Sequence, residues 1–269
     1  TRKPEKAPEK IALHQWTSAG LEEYISGESA RFAAVDGPSD LATLGSTTSY
    51  GWYRIKLKPS KAEKVLIASP QSGDRLHFFD RSREVGVLGV GPGASQTLGL
   101  PLHKPEQTLV VLGEALGRYS DGRHMGEPKG LVSHLLEVSA IKTPAPKIEI
   151  GEPLDILRFS SPIFQVRSSD ATLPERITWH LGKRSGGPIL LVNKGLPSAA
   201  LLVVNDKPVT VVDESGPSTL LIEQDKLGRG NVTIQLALFP IEGVEGEEGD
   251  SVLGLVDESG AALEFFSVD

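Results

Sequence analysis

Thr108 to Lys142 read TLVVLGEALGRYSDGRHMGEPKGLVSHLLEVSAIK, and the order of residue types in this stretch decides the fold. The apolar run Leu109, Val110, Val111, Leu112 stops at Gly113. A loop dense in glycine and charge follows, with Gly117, Arg118, Asp121, Gly122, Arg123, Gly126, Lys129 and Gly130. A second, alternating run covers Leu131 to Ile141. This is strand, long irregular loop, strand, with the glycines permitting tight backbone paths that other residues resist. Nowhere in the chain is a helical period sustained beyond about three turns.

Upstream of this stretch, TRKPEKAPEK at 1–10 alternates charge with proline and holds little to bury, so it reads as a solvated arm or linker. Glu5 and Glu9 offset its positive charge, which weakens the alternative of a basic tail. Leu13, Trp16 and Leu21 through Ile25 open the globular pattern with a strand and one short helix around GLEEYI. Pro38 and Ser39 ahead of Leu41 suggest a helical turn or packed loop. In YGWYRIKL, Tyr50, Trp52, Arg54 and Lys56 point one way and Gly51, Tyr53, Ile55 and Leu57 the other. KVLIASP, DRLHFFDRSREVGVLGV and TLGLPL follow, each bounded by turn residues, the spacing of an all-β sandwich or barrel.

Downstream, KTPAPK at 142–147 has two prolines in six residues and nothing core-forming, and reads as a stiff hinge. The segments KIEIG, DILRFSSPIFQVR, RITWHLG, PILLVNKG, AALLVVNDKPVTVVDESG, STLLIEQDKL, NVTIQLALFPI, SVLGLVDESG and ALEFFSV all read as strands or hairpin arms. VDESG recurs at Val212–Gly216 and Val256–Gly260, as hairpin or bulge turns. Glu242–Asp250 (EGVEGEEGD) reads as an exposed acidic loop. The expected organisation is therefore an arm at 1–10, a β-sandwich at 11–143 and a second at 144–269.

The bulk properties agree. A chain of 269 residues exceeds the usual single compact domain, so two are expected. Its 39% hydrophobic content and mean hydropathy of -0.13 supply material for real cores. A net charge of -7 argues against a general nucleic-acid binder, which needs clustered positive charge. Zero cysteines exclude disulfides, zinc–thiolate sites and thiol nucleophiles within the chain. No apolar run approaches the roughly 20 residues that span a bilayer, and residues 1–10 do not read as a signal peptide. A chain that opens at Thr1, with Met125 its single methionine, fits either a start trimmed of its initiator or a fragment of something longer. The compartment stays open.

Three segments in order resemble the non-catalytic jelly-roll domains of glycoside hydrolase family 35 β-galactosidases. They are PSDLATLGSTTSYGWYRIKL, RLHFFDRSREVGVLG and LVVLGEALGRYSDGRHMGEPKGL, together covering roughly residues 38–135. In the second segment Asp80 and Arg81 stand at the expected turn. GPILLVNKGLPSAALLVVNDKPV and LGRGNVTIQLALF carry a fainter likeness, with Asn205-Asp206 where Asn-Gly is usual. The resemblance implies two tandem jelly-roll, galactose-binding-like β-sandwiches. It does not imply glycosidase activity. In that family the catalytic carboxylates lie on a separate (β/α)₈ barrel, and this chain lacks the alternating β/α pattern. Glu114 then carries over as a loop-anchoring carboxylate.

Other chemistry is sparse. Gly89-Val90-Gly91-Pro92-Gly93 lacks the following helix that a phosphate-cradling loop needs, and reads as a turn. Six histidines (14, 77, 103, 124, 134 and 180) never fall in HxH or HExxH spacing, so no metal or other cofactor is expected. No G-x-S-x-G elbow presents a nucleophile. The chain is expected to be no enzyme.

Sugar binding needs a flat ring for the C–H face of a pyranose and polar groups for its hydroxyls. Tyr119, beside Arg118 and Asp121 in the loop, and Trp16 are the candidates for a carbohydrate site, whereas Trp52 and Trp179 are assigned to packing. Glu114, Arg118 and Lys129 are the candidate structural anchors of the loop, with Arg118 expected in buried charge pairing. The expected function is a non-catalytic, carbohydrate-binding accessory module. The alternative is a structural assembly protein, a virion or surface-array component, whose loops and arm contact other subunits. Its partners would be glycans or further protein subunits in an oligomer.

Overall fold

The structure, a computed structural model, describes residues 20–46, 48–59, 62–118, 126–150, 175–184, 186–196, 199–212, 218–238 and 263–268. The arm at 1–10, Trp16, Tyr119, Asp121, residues 213–216 and 256–260 of the VDESG turns and the acidic stretch 242–250 lie outside them. The protein is all-β. Its strands are β1 (Tyr50–Leu57), β2 (Lys64–Ala68), β3 (Arg75–Asp80), β4 (Arg83–Gly89), β5 (Leu98–Pro101), β6 (Gln107–Glu114) and β7 (Leu136–Ala140) in the first half. The second half has β8 (Lys147–Ile150), β9 (Glu175–Arg184), β10 (Ile189–Asn193), β11 (Ala200–Val204), β12 (Lys207–Val212), β13 (Ser218–Ile222), β14 (Gly230–Leu238) and β15 (Leu263–Val268). Two one-turn helices, α1 (Glu22–Ile25) and α2 (Gln224–Leu227), complete the described elements.

The opening stretch forms strand, loop, strand, with β6 and β7 at its ends, the second strand starting five residues later than the alternation begins. β6 is central in a four-stranded antiparallel sheet of order β1-β6-β3-β4. Alternation on β1 follows the sequence. Tyr53, Ile55 and Leu57 join the first core with Leu76, Phe78, Leu109 and Val111, while Tyr50 and Arg54 are exposed. A five-stranded sheet, β12-β11-β14-β9-β8, covers the second core around Trp179, Leu202, Ile234 and Phe265.

Between them runs a six-stranded sheet of order β13-β10-β15-β7-β2-β5, which draws strands from both halves. The join is β7 against β15, with Val138 opposite Val268 and Ala140 opposite Phe266. Two of its strands, β2 and β10, are buried on two sides. On β2, Val65 and Ile67 enter the first core while Ala68, with Leu66 beside it, enters a third. On β10, Ile189 and Leu191 enter the second core, and Leu190 and Val192 the third. Val138 and Phe266 complete this third core, which ties the halves together. The hinge at 142–147 thus separates two cores but not two sheets.

Turn chemistry holds the hairpins. Asn205 and Asp206 both take positive φ (48° and 62°), the conformation that a two-residue hairpin needs and that Asn-Gly usually supplies. Between β3 and β4 the turn is Arg81-Ser82, φ 49° and 60°, one residue later than the family resemblance places it. The displaced Asp80 ends β3 with its side chain inward, accepting from Gln107 at 3.0 Å and bonded to His103 at 2.9 Å. No helix among the described residues is long and apolar enough to cross a membrane.

Candidate functional site

A cavity of about 430 Å³ opens where the loops of the first half meet β13 of the second. Ser69, Gln71 and Ser72 line it from the β2–β3 loop, Gln96 from the β4–β5 loop, and Glu127 and Lys129 from the long β6–β7 loop. Ser218 and Thr219 close it from β13. In the sheet, β10, β15 and β7 stand between β13 and β2, about 19 Å if flat. Thr219 is opposite Val192 of the third core, and Ser69 directly follows Ala68.

The two first-half loops are fastened to each other. Gly73 and Gly130 exchange backbone hydrogen bonds, and the Ser72 hydroxyl accepts from the amides of Val132 at 3.1 Å and Ser133 at 3.2 Å. Ser69 and Ser72 hydroxyls lie 2.8 Å apart, within a cluster that Ser133 joins. From the core, the buried hydroxyl of Tyr53 accepts from Leu131 N–H at 3.2 Å and donates to Ser39 at 3.1 Å. The Leu41 amide donates to the Lys129 carbonyl at 2.8 Å. Gly89 at the cavity edge cannot be another residue. Its φ is +118°, and a Cβ there would stand 2.0 Å from the Asp74 carbonyl oxygen.

Charge organises the centre. The Lys129 side chain is 4% exposed, and its Nζ donates to Asp74 Oδ1 at 2.6 Å and to Glu127. Burial alone would push its ammonium down, but the two carboxylates outweigh burial and hold it above the ordinary lysine value. Asp74 Oδ2 accepts the Leu116 amide at 2.7 Å, so one carboxylate pins both ends of the long loop. The cavity thus presents hydroxyls, side-chain amides and carboxylates around a buried cation.

A second cluster sits on the outer face of the four-stranded sheet. Glu114 accepts from Arg75 Nε at 2.8 Å and from its Nη2, from Tyr50 Oη at 3.2 Å, and is 3.3 Å from His77 Nε2. Burial raises the Glu114 carboxyl, but the Arg75 and His77 hydrogen bonds prevail and hold it below the usual carboxylate value. Beside it Trp52 stacks on Tyr24 at 5.5 Å and lies 6.0 Å from Phe79. Trp52 is therefore a packed ring. So is Trp179, 2% exposed and edge-on to Phe265 at 5.6 Å in the second core.

Of the residues singled out from sequence, Glu114 and Lys129 stand in these two clusters, about the two ends of the loop. Arg118 is exposed, and the buried pairing expected of it is made instead by Lys129 with Asp74. Tyr119, Asp121 and Trp16 lie outside the described residues. Asp74, Gln96, Ser72 and Thr219 were not singled out. SPQSGD at 69–74 reads only as a turn, and no spacing rule links Asp74 to a lysine 55 positions on.

Neither a family model nor a curated protein matches the sequence. Among solved structures, the chain is similar to a Bacteroides uniformis β-glucuronidase at 10% identity and TM-score 0.32, covering 84% of this chain and 27% of that one. A Ruminococcus gnavus β-glucuronidase in complex with D-glucuronic acid matches at 12% identity and TM-score 0.31, covering 80% and 38%. A glycosyl hydrolase family 2 member from Bacteroides cellulosilyticus matches at 11% identity and TM-score 0.28, covering 90% and 30%. The chain thus spans well under half the length of each. Where these neighbours carry a family number it is 2, not the 35 whose motifs the sequence resembles. TM-scores near 0.3 are too low to carry a function across.

Proposed function

We propose that this chain is a non-catalytic β-sandwich binding module of the carbohydrate-binding accessory type, with its site in the cavity between the first-half loops and β13. The lining of that cavity carries the reading. Hydroxyls of Ser69, Ser72, Ser218 and Thr219, amides of Gln71 and Gln96, and the carboxylates of Asp74 and Glu127 surround a volume of about 430 Å³. That size falls within the roughly 300–1,000 Å³ of small-ligand sites. Dispersed donors and acceptors of this kind suit a polyhydroxylated ligand. Both carboxylates accept from the one ammonium of Lys129, whereas glycoside hydrolysis requires one of a carboxyl pair to hold and deliver a proton.

The test is titration of the full chain with galactose, glucose and their disaccharides, followed by NMR or calorimetry. Binding should shift the amides of Ser72, Gln96 and Thr219, and Thr219→Trp, which fills the cavity, should weaken it at least about tenfold, or roughly 1.4 kcal/mol. Tyr119→Ala, on the same long loop, asks whether an aromatic platform contributes. Absence of binding at millimolar sugar, or binding untouched by Thr219→Trp, would refute the assignment.

A further inference from the structure

We infer that Gln71 selects the ligand of this cavity, its side-chain amide meeting two neighbouring hydroxyls of the sugar. This rests on the carbohydrate reading above and names, within it, the residue and the hydroxyl pattern that decide what is held. Several polar groups of the lining are spent on the protein itself. Asp74 takes Lys129 Nζ on Oδ1 and the Leu116 amide on Oδ2, and Ser72 accepts two backbone amides beside the Ser69 hydroxyl. Gln96 donates its Nε2 to the Gly89 carbonyl at 2.7 Å, which fixes that side chain and leaves its Oε1 to accept. The side-chain amide of Gln71, by contrast, is exposed at the cavity and hydrogen-bonds to no described residue.

The backbone at Gln71 is not one that a glutamine favours. Ser69-Pro70-Gln71-Ser72 closes with the Ser72 N–H on the Ser69 carbonyl at 3.4 Å, proline second and a φ of 63° at the third residue. Glycine or asparagine ordinarily completes a turn of that kind, because a Cβ is strained at positive φ. Four other described non-glycine residues take positive φ, and they are the two-residue hairpin turns Arg81-Ser82 and Asn205-Asp206, which demand it. Gln71 joins β2 to β3, which do not pair with each other, and it borders the cavity. Strain of this kind gathers at ligand sites, and here it places a long amide where glycine would offer none. An amide sets a carbonyl acceptor beside an N–H donor, a match for two adjacent hydroxyls of which one donates and the other accepts. Glycine at this position removes both contacts and relieves the backbone, so affinity falls while stability does not.

The experiment compares the full chain with its Gln71→Gly variant by calorimetry. The ligands are galactose or glucose, whichever the wild type binds more tightly, and the 2-, 3- and 4-deoxy analogues of that sugar. Wild type should bind two of the analogues, those lacking adjacent hydroxyls, at least about tenfold more weakly than the parent sugar. Gln71→Gly should bind the parent at least about tenfold more weakly than wild type does, and hold parent and those two analogues within about twofold of one another. It should melt no lower than wild type. A parent sugar bound as tightly by Gln71→Gly as by wild type would overturn the inference and leave the carbohydrate reading standing. A lowered melting temperature would also overturn it, by making Gln71 a part of the fold. Binding of neither sugar at millimolar concentration would remove both.

Discussion

Replacing Phe266 by alanine should loosen the half of the chain in which Phe266 does not lie. Phe266 is 5% exposed on β15, opposite Ala140 of β7 on one side and Leu190 of β10 on the other. Its ring fills the third core among Ala68, Val138, Leu190 and Val192. Paired strands on both sides hold the backbone in place, and alanines 68 and 140 are too short to fill the gap. Removing the ring therefore costs about 3–5 kcal/mol, the range for buried Phe→Ala where the site cannot collapse. With a urea dependence of about 3 kcal/mol per molar or more for a chain of this size, the midpoint should fall by roughly 1 M. Two local probes read the outcome. Trp52 reports the first half and Trp179, 2% exposed, the second core, in a Trp16→Phe background with each tryptophan kept singly. If the third core makes one cooperative unit, both probes share a midpoint and Phe266→Ala lowers both equally. A Trp52 midpoint that stays in place while that of Trp179 falls would refute the reasoning and make the halves independent domains.

Trypsin should cut after exposed Lys142 in the hinge, yet the two products should co-elute on gel filtration, because the third core and the β7–β15 pairing hold them. Glu114→Gln should cost about 1.5–3 kcal/mol by leaving Arg75 without its carboxylate. Glu114 has its folded pKa below the unfolded value of about 4.3, so its contribution is present above that pH and is lost as pH falls through the folded value. Acid titrations of the melting temperature should therefore show wild type and Glu114→Gln drawing together as pH falls from the unfolded value through the lower folded one. Lys129→Met should cost about 1–3 kcal/mol by uncoupling Asp74 from Glu127. The Lys129 folded pKa lies above its unfolded value of about 10.4, so its contribution is intact below that pH and fades as pH rises through the folded value. The variant should lose this alkaline limb of the stability curve.

Local features were legible because they depend on neighbours in sequence. Alternation gave the two faces of β1, the apolar runs gave β6 and β10, and Asn205-Asp206 gave a hairpin without its glycine. The site was less legible because it is assembled at long range. Glu114 and Lys129 stood out as charges flanking a glycine-rich loop, but their partners could not be chosen from sequence. Arg75 is 39 residues from Glu114, and Asp74 is 55 from Lys129. Arg118 shares the composition that singled out Lys129, yet lies exposed where Lys129 is buried. Charge and loop density identify a segment. Burial selects which of its charges is paired.

The joint between the halves left a trace that alternation alone does not capture. A strand facing a core on one side alternates apolar and polar residues, as RLHFFD does weakly and YGWYRIKL more clearly. A strand covered on both sides reads as an unbroken apolar run. VLIA at 65–68 and ILLV at 189–192 are such runs, and in both the odd-numbered positions enter a sandwich core while the even-numbered ones face the third. Each therefore signalled a second packing surface, but not that the two surfaces are one. Pairing β7 with β15 supplies that, and Thr219 and Ser69, from the two halves, line the same cavity. The elements that bind the halves thus also border the proposed sugar site, so a ligand held there contacts both sides of the joint.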